Sequence, residues 1–441
     1  MKNILFYVSG HGYGHATRTA EIIRALFLIE PTWKFYVRSK APAEFFQSLC
    51  SPSQIQIDAV TIDSGVVENK NDPFHIDPPS TLNEASKILA NKEQTIKSEL
   101  KFIKDHSISL IVTDIAYLAG DIALATGIPC TAISNFTWDW IYEPFVTDYP
   151  NYKGLLEEIR DSYRKIPILL ELPFCDHDSL SALFEKSTIF SVNLLARQSK
   201  RDPKEILNVL GLDNKLPFVL IGKGRGGVSL DAFEKAANDS KDFIFLTMDS
   251  QSTKSSNIHH ITSSLNYIDI LSISSIVISK LGYSIVAECI ANKAFGLLSP
   301  PRFGFREDMT LKTKAPNYLR MSEIPLKDYE EGQWANHLNR LLKIDKQFQT
   351  MDLGGAEECA RHIVQIMGGK SLNPNNKIDF ESSTKSPLIL DLTNHSAENE
   401  IINFLTPEVM QELRRVGQEK IWESGECLML EGEEGHTMDI I

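Results

Sequence analysis

The chain has 441 residues, 42% of them hydrophobic and 23% charged, with a formal net charge of −13. That length holds two full domains of roughly 100–200 residues each plus a small appendage, and the apolar content suits conventional soluble cores. The acidic excess excludes a general nucleic-acid binder or a protein of anionic membrane surfaces, because phosphates would on average be repelled; it leaves room for one local basic pocket.

Met1-Lys2-Asn3 leads directly into the short apolar run Ile-Leu-Phe-Tyr-Val, a strand pattern rather than a leader peptide. No apolar segment approaches the roughly 20 residues that span a bilayer, although peripheral membrane contact stays open. Next comes "SGHGYGHATR", then a helical pattern over 17–29 in which Ala16, Ala20, Ile23 and Phe27 share a face. Arg18 and Arg24 need no burial in that reading, and Pro31 closes the helix. Strand patterns follow at 35–37, 55–62, 110–112 and 131–133, with a long helical pattern over 82–105. The polar stretch at 199–203 contains proline and reads as a linker.

The second half repeats the alternation. Strands are expected at 218–221, 243–247, 276–279 and 296–299, and helices at 266–273, 283–291, 334–342 and 356–367. Strands alternating with helices predict the α/β class, here two doubly wound parallel sheets. After Gly368 the composition turns polar, as a flexible connector does. The expected divisions are 1–200, 204–368, a linker at 369–390 and a tail at 391–441, too short for another such core. The six cysteines form no Cys-x-x-Cys pair, which suits reduced thiols and a cytoplasmic location.

A strand running through a glycine-rich turn into a helix presents free backbone N–H groups, and these attract phosphate. Gly10, Gly12 and Gly14 form such a turn, but the spacing is not the dinucleotide fingerprint, whose last glycine would fall at His15. Arg38 and Lys40 stand where that fold needs an acidic residue, which disfavours a dehydrogenase. His11 and His15 lack the further ligands and the rigid frame a metal pair needs. His11 fits a loop hydrogen bond as well as a site role; His15, at a helix mouth, suits proton transfer. Asp114 ends "LIVTD" at the edge of a sheet where ligands bind, and fits either a histidine partner or a helix cap.

"PFVLIGKGRGG" offers a second phosphate loop with Gly224 and Arg225, or simply a solvated turn. "ISKLGYSIVAEC" is a third strand–turn–helix unit. Gly282 and Ser284 lie at its helix start, and Glu288 follows about one turn later, within reach of ribose hydroxyls or merely exposed. Neither a Walker lysine motif nor a Gly-x-Ser-x-Gly elbow is present. "NFTWDWIY" supplies aromatic rings that suit either a sugar face or a core.

Taken in order, "SGHGYGHATR", "LIVTDIAYLA", "ISNFTWDWIY" and "ISKLGYSIVAECIANKAFGLLSPPRFGFRED" resemble the GT-B glycosyltransferases. In particular they resemble the glycosyltransferase-like N-terminal domain of plant L-arabinokinases and its stand-alone bacterial relatives. No kinase segment is found in the sequence, so the resemblance carries no sugar-kinase expectation. It implies two facing Rossmann-like domains with a cleft between them, the acceptor on the N-terminal side and a nucleotide-sugar donor on the C-terminal side. His15 would be the general base and Asp114 its carboxylate partner. Gly282, Tyr283 and Ser284 would lie along the donor diphosphate, and Gly12, Gly14, Gly224, Arg225 and Lys280 would also belong to the donor site. Glu288 would bind ribose, and Glu307 and Asp308 the donor sugar. His11, Asn135, Trp138 and Asp139 would fall on the acceptor side. The family's usual Gly-Gly or His-x-Gly is Lys280-Leu281-Gly282 here, so a lysine takes over work done elsewhere by backbone.

The expected activity is transfer of a hexosyl-type sugar from a nucleotide-sugar, UDP by default, to a hydroxyl acceptor, with no metal or other cofactor. A non-catalytic nucleotide-sugar-binding regulator and a UDP-sugar epimerase of the same architecture are the alternatives. The tail "NFLTPEVMQELRRVGQEKIWESGECLMLEGEEGHTMDII" resembles the opening of a cyclic-nucleotide-binding domain and stops before the segment that grips the cyclic phosphate. It is expected to bind no nucleotide and to be available for contact with another protein.

Overall fold

Short runs of β-branched and aromatic residues with no charge in their centres become strands covered on both faces, as parallel sheets require. The computed structural model describes residues 2–368 other than 48, 71, 223–227, 250–252 and 262–264, and in the tail the backbone of 429–431 and 437–439. In the N-terminal half the strands are β1 (Asn3–Val8), β2 (Lys34–Arg38), β3 (Ile55–Asp58), the short β4 (Glu68–Asn69) and β5 (Asp72–Ile76), β6 (Leu110–Asp114), β7 (Cys130–Ser134), β8 (Ile168–Glu171) and β9 (Thr188–Ser191). The C-terminal half adds β10 (Phe218–Ile221), β11 (Ile244–Thr247), β12 (Ile258–His260), β13 (Ile276–Ile278), β14 (Gly296–Ser299) and β15 (Arg320–Glu323).

The first sheet has the order β3-β2-β1-β6-β7-β8-β9 and the second the order β12-β11-β10-β13-β14-β15, every pair parallel. In both, the strand order reverses beside the first strand of the sheet. Ligands of open α/β sheets bind at that switch point, outside the carboxyl ends of the strands. The register pairs Val8 with Asp114, so the glycine loop after β1 and the aspartate ending β6 leave the sheet side by side.

Several elements differ from the sequence expectation for local reasons. The helical pattern over 82–105 is two helices, Pro78–Ala90 and Lys92–Asp105, with Asn91 closing one and opening the next. The strand expected at 55–62 ends at Asp58, and the chain then leaves the sheet to bring Asp63 beneath Ser9, whose Oγ donates to Asp63 Oδ1 at 3.1 Å. The edge strands β9, β12 and β15, like β8, hold only three or four residues, too few for an alternating pattern to register. Helix Gly355–Met367, at the end of the second half in sequence, returns to the first half. Its Ala356, Cys359, Ala360 and Ile363 share a core with Ala16, Ala20 and Ile23 of helix Gly14–Ile29.

The hairpin β4–β5 crosses the other way. Phe74 is 2% exposed and packs in the core of the second half, edge-on to Tyr329 at 5.9 Å. Phe303 N–H donates to the Phe74 carbonyl at 2.7 Å, Ile76 N–H donates to the Phe303 carbonyl at 3.1 Å, and the His75 ring stacks on Phe303. The hairpin is therefore a strap fastening one half to the other.

Close helix packing on the first sheet depends on Gly120, where an added Cβ would stand 1.8 Å from the Ser162 carbonyl oxygen. That obstacle is backbone and cannot swing aside. Gly120→Ala is expected to destabilise the protein by about 3 kcal/mol or more, read as a fall in the urea midpoint at unchanged slope.

Met1–Pro374 form one compact unit and Asn375–Ile441 another. In the latter, Met429–Glu431 pairs antiparallel with Thr437–Asp439. The connector at 369–390 and the remainder of the tail lie outside the described residues. Among the described residues no helix is long and apolar enough to cross a membrane, and Cys50, Cys130, Cys175, Cys289 and Cys359 are free thiols.

Candidate active site

The turn after β1 is made possible by Gly12, whose φ of +68° lies in the left-handed region that glycine enters without strain. The helix then begins at Gly14, which puts His15 in its first turn. Nδ1 of His15 donates to Asp114 Oδ1 at 2.9 Å. Asp114 is thus the histidine's partner and not a helix cap; the next helix starts at Leu118 with no side-chain cap. Both groups are buried. With Nδ1 held, Nε2 is the ring nitrogen that can take up a proton.

Arg18, read from the sequence as needing no burial, is 3% exposed at the centre of this site. Its Nε donates to Asp114 Oδ2 at 2.7 Å, Nη2 donates to Oδ1, and Nη1 donates to Asn135 Oδ1 at 2.8 Å. Asn135 Nδ2 in turn donates to Glu307 Oε1 of the second half at 2.8 Å. Burial opposes ionisation of Asp114, but the Arg18 charge and the His15 and Arg18 hydrogen bonds outweigh it and bring the carboxyl down to about 2. The signal for Arg18 was present in the spacing, since residues three apart on a helix share a face.

Asp63 carried no such signal. Its Oδ2 accepts from Trp138 Nε1 at 2.9 Å and its Oδ1 from Ser9 Oγ. Burial raises its carboxyl to about 6, with those two neutral donors offsetting only part of the cost. A carboxyl whose folded value exceeds its ordinary 3.8 contributes stability that is complete below about pH 4 and lost as pH rises through 6. Relative to Asp63→Asn, the wild type is therefore expected to lose about 1–3 kcal/mol between pH 4 and 7, measured as the difference between urea-derived stabilities.

His11 is enclosed by the Trp138 edge at 5.4 Å, by Phe305 of the second half stacked at 5.9 Å, and by the backbone of Gly65. Burial first, then the nearby charges of His15, Arg302 and Lys280, lower it to about 3, so it is a neutral ring in a largely apolar box. Trp138 is fully buried, with its rings against Phe136 and Tyr142; its faces are spent on packing rather than on a sugar. Asp139 is likewise committed, to Arg160 Nε at 3.0 Å.

On the second half, helix Tyr283–Ala291 starts after Gly282 with no side-chain cap on its first N–H groups. Ser284 Oγ donates to the Gly14 carbonyl at 3.0 Å, so the glycine loop of one half and the helix start of the other meet face to face. Lys280 is engaged by the strap: its ammonium lies 3.1 Å from Glu68 and donates to the Pro73 carbonyl at 2.8 Å. Glu307 and Asp308 both face Arg302, whose Nε donates to Asp308 Oδ2 at 3.2 Å.

Two expected donor contacts use their side chains differently. Tyr283 is 3% exposed beneath the Arg18 guanidinium, and its hydroxyl accepts from Leu195 N–H at 3.2 Å, so it supports the site from behind. Glu288 is buried and ion-paired with Arg197 at 2.7 Å, so its carboxylate already has a partner where a ribose was expected. Gly224 and Arg225 lie outside the described residues. The depression of about 460 Å³ lined by Arg38, Asp58, Phe102 and His106 shares no residue with the site. Among the described residues no cluster of His, Cys, Asp and Glu is arranged to hold a metal.

Two facing Rossmann-like domains with these loops at their junction are the GT-B fold, which glycosyltransferases and UDP-sugar epimerases share. In sequence, the chain is 25% identical over 366 residues to the L-arabinokinase of Arabidopsis thaliana, a match that covers 82% of this chain and 34% of that protein. It thus spans about a third of that relative's length. Among solved structures, UGT89C1 of Arabidopsis thaliana in complex with UDP-L-rhamnose superposes with a TM-score of 0.53 at 13% identity, over 83% of this chain and 98% of that one. A Listeria monocytogenes protein named as a UDP-N-acetylglucosamine 2-epimerase gives 0.53 at 13% identity, over 86% and 100%. No protein-family model matches the sequence.

Proposed function

We propose that the protein is a glycosyltransferase that moves a hexosyl-type sugar from a UDP-sugar to a hydroxyl acceptor, with His15 as general base. The observation that carries this reading is the buried His15–Asp114 pair at the mouth of a glycine loop that meets the uncapped helix start at Gly282. In the proposed step the acceptor oxygen attacks the anomeric carbon as its proton passes to His15 Nε2. The bond from that carbon to the diphosphate oxygen breaks, and its electron pair leaves with UDP. The charge developing on the diphosphate would be met by the backbone N–H groups from Tyr283 onward and by Lys280, without a metal ion. Glu307 and Asp308, held by Arg302 and Asn135 at the junction, would face the donor sugar, and His11 the acceptor.

Lys280 must exchange Glu68 for phosphate in this scheme. Glu68→Gln is therefore expected to tighten UDP binding about 2–5-fold, the worth of one exposed ion pair, measured by calorimetry; weaker binding would place Glu68 among the ligand contacts. The reading itself is tested by a thermal-shift screen of UDP, GDP, dTDP and their sugars, followed by assay of UDP release with and without hydroxyl acceptors. Stabilisation by UDP-sugars with acceptor-dependent release of UDP supports it. Epimer formation without acceptor, binding without turnover, or no binding at all overturns it.

A further inference from the structure

The Arg18 guanidinium does more than fill a core position. Asp114 accepts from His15 Nδ1, from Arg18 Nε and Nη2, and from Thr19 Oγ1 at 3.0 Å. A carboxylate offers about four lone-pair sites, and four donors occupy them. Arg18 Nη2 also stands 3.0 Å from His15 Nδ1. That nitrogen already donates its proton to Asp114, so the approach sets two N–H groups against each other and is repulsive. A carboxylate alone beside an imidazole favours the imidazolium; a guanidinium at this distance opposes it.

The same side chain reaches across the junction. Its plane lies over the Tyr283 ring, 5.4 Å from the centroid, and its bond to Asn135 continues to Glu307. The other charged or titratable groups that act on His15 are Asp63 below the glycine loop, Glu307 on the helix from the second half, and His11 in the loop itself. None of these is hydrogen-bonded to Asp114 as Arg18 is.

We propose that Arg18 is the positioning residue of this site: it compensates the charge of Asp114 and holds the carboxylate that orients His15, so that loss of either charge alone is felt at the His15 ring. The catalytic consequence rests on the reading of His15 as base; the charge arrangement does not.

The test is an NMR titration of the His15 ring in the ligand-free protein, assigned by comparison with His15→Gln. Arg18→Met leaves the Asp114 charge uncompensated and is expected to raise the His15 midpoint by about 1 pH unit or more. Asp114→Asn leaves Arg18 uncompensated and is expected to lower it. The double variant returns towards the wild type, and Arg18→Lys, which keeps the charge, stays near it. A merely structural Arg18 would leave the midpoint unmoved or lowered in Arg18→Met, and either result overturns the proposal; Asp114→Asn measures the effect of the carboxylate itself. Should Arg18→Met not fold, Arg18→Gln carries the same test: it removes the same charge, an upward shift is expected, and an unmoved midpoint overturns the proposal. Opposed shifts in a protein that turns over no UDP-sugar would remove the transferase reading and leave the role of Arg18 standing. Turnover without opposed shifts would do the reverse.

Discussion

His15→Gln is expected to lower acceptor-dependent release of UDP about 10²–10⁴-fold, the usual worth of a positioned general base. Glutamine retains a polar side chain of similar reach towards Asp114, so the Asp114–Arg18–Asn135 chain of hydrogen bonds is preserved. The loss should therefore fall on kcat, with KM for the donor little changed, because the donor's proposed contacts lie on the other half, at Lys280 and the helix starting at Tyr283. Asp114→Asn should cost less than His15→Gln, since the imidazole remains present although less well oriented. Residual activity in His15→Gln within about tenfold of wild type would move the base elsewhere, with Asp63 the next buried carboxyl in the site.

Phe74→Ala is expected to cost about 3–5 kcal/mol, as removal of a fully buried phenylalanine from a close-packed core does. It carries an effect that an ordinary core mutation would lack. Phe74 is contributed by the N-terminal half to the core of the C-terminal half, so its loss unfastens the strap as well as leaving a cavity. The radius of gyration measured by solution scattering should rise, and the Lys280–Glu68 contact should weaken with it. Phe303→Ala serves as the control. That ring is 43% exposed, and the segment's backbone bonds to Phe74 and Ile76 do not need it, so about 1 kcal/mol or less is expected. Equal effects from the two variants would show that the strap does not hold the halves together.

The glycine loops were legible because their requirement is local. A strand, a tight turn and a helix start in one short stretch leave the backbone little choice, and the positions of His15 and of Gly282 follow from that alone. The helix at 82–105 was misjudged because a single Asn91 can cap one helix and begin another without breaking the apolar period. Trp138 and Asp139 were read towards the acceptor because aromatic and acidic side chains suit sugars and cores alike. The partners that the fold brings to them, Asp63 and Arg160, are distant in sequence and leave no local signal.

By itself, the sequence determined the two parallel sheets, the strand ends from which the site is built and the candidate pair His15 and Asp114, since hydrophobic period and turn chemistry act over a few residues. Tertiary structure alone decided that Asp114 faces His15, that Arg18 binds the same carboxylate, that Asp63 lies beneath, and that Lys280 is engaged by a strap from the other half. Those partners are 96 residues apart in one case and 212 in another. What joins them is the register of β1 on β6 and the docking of one half on the other, and long-range packing leaves no periodic trace along the chain.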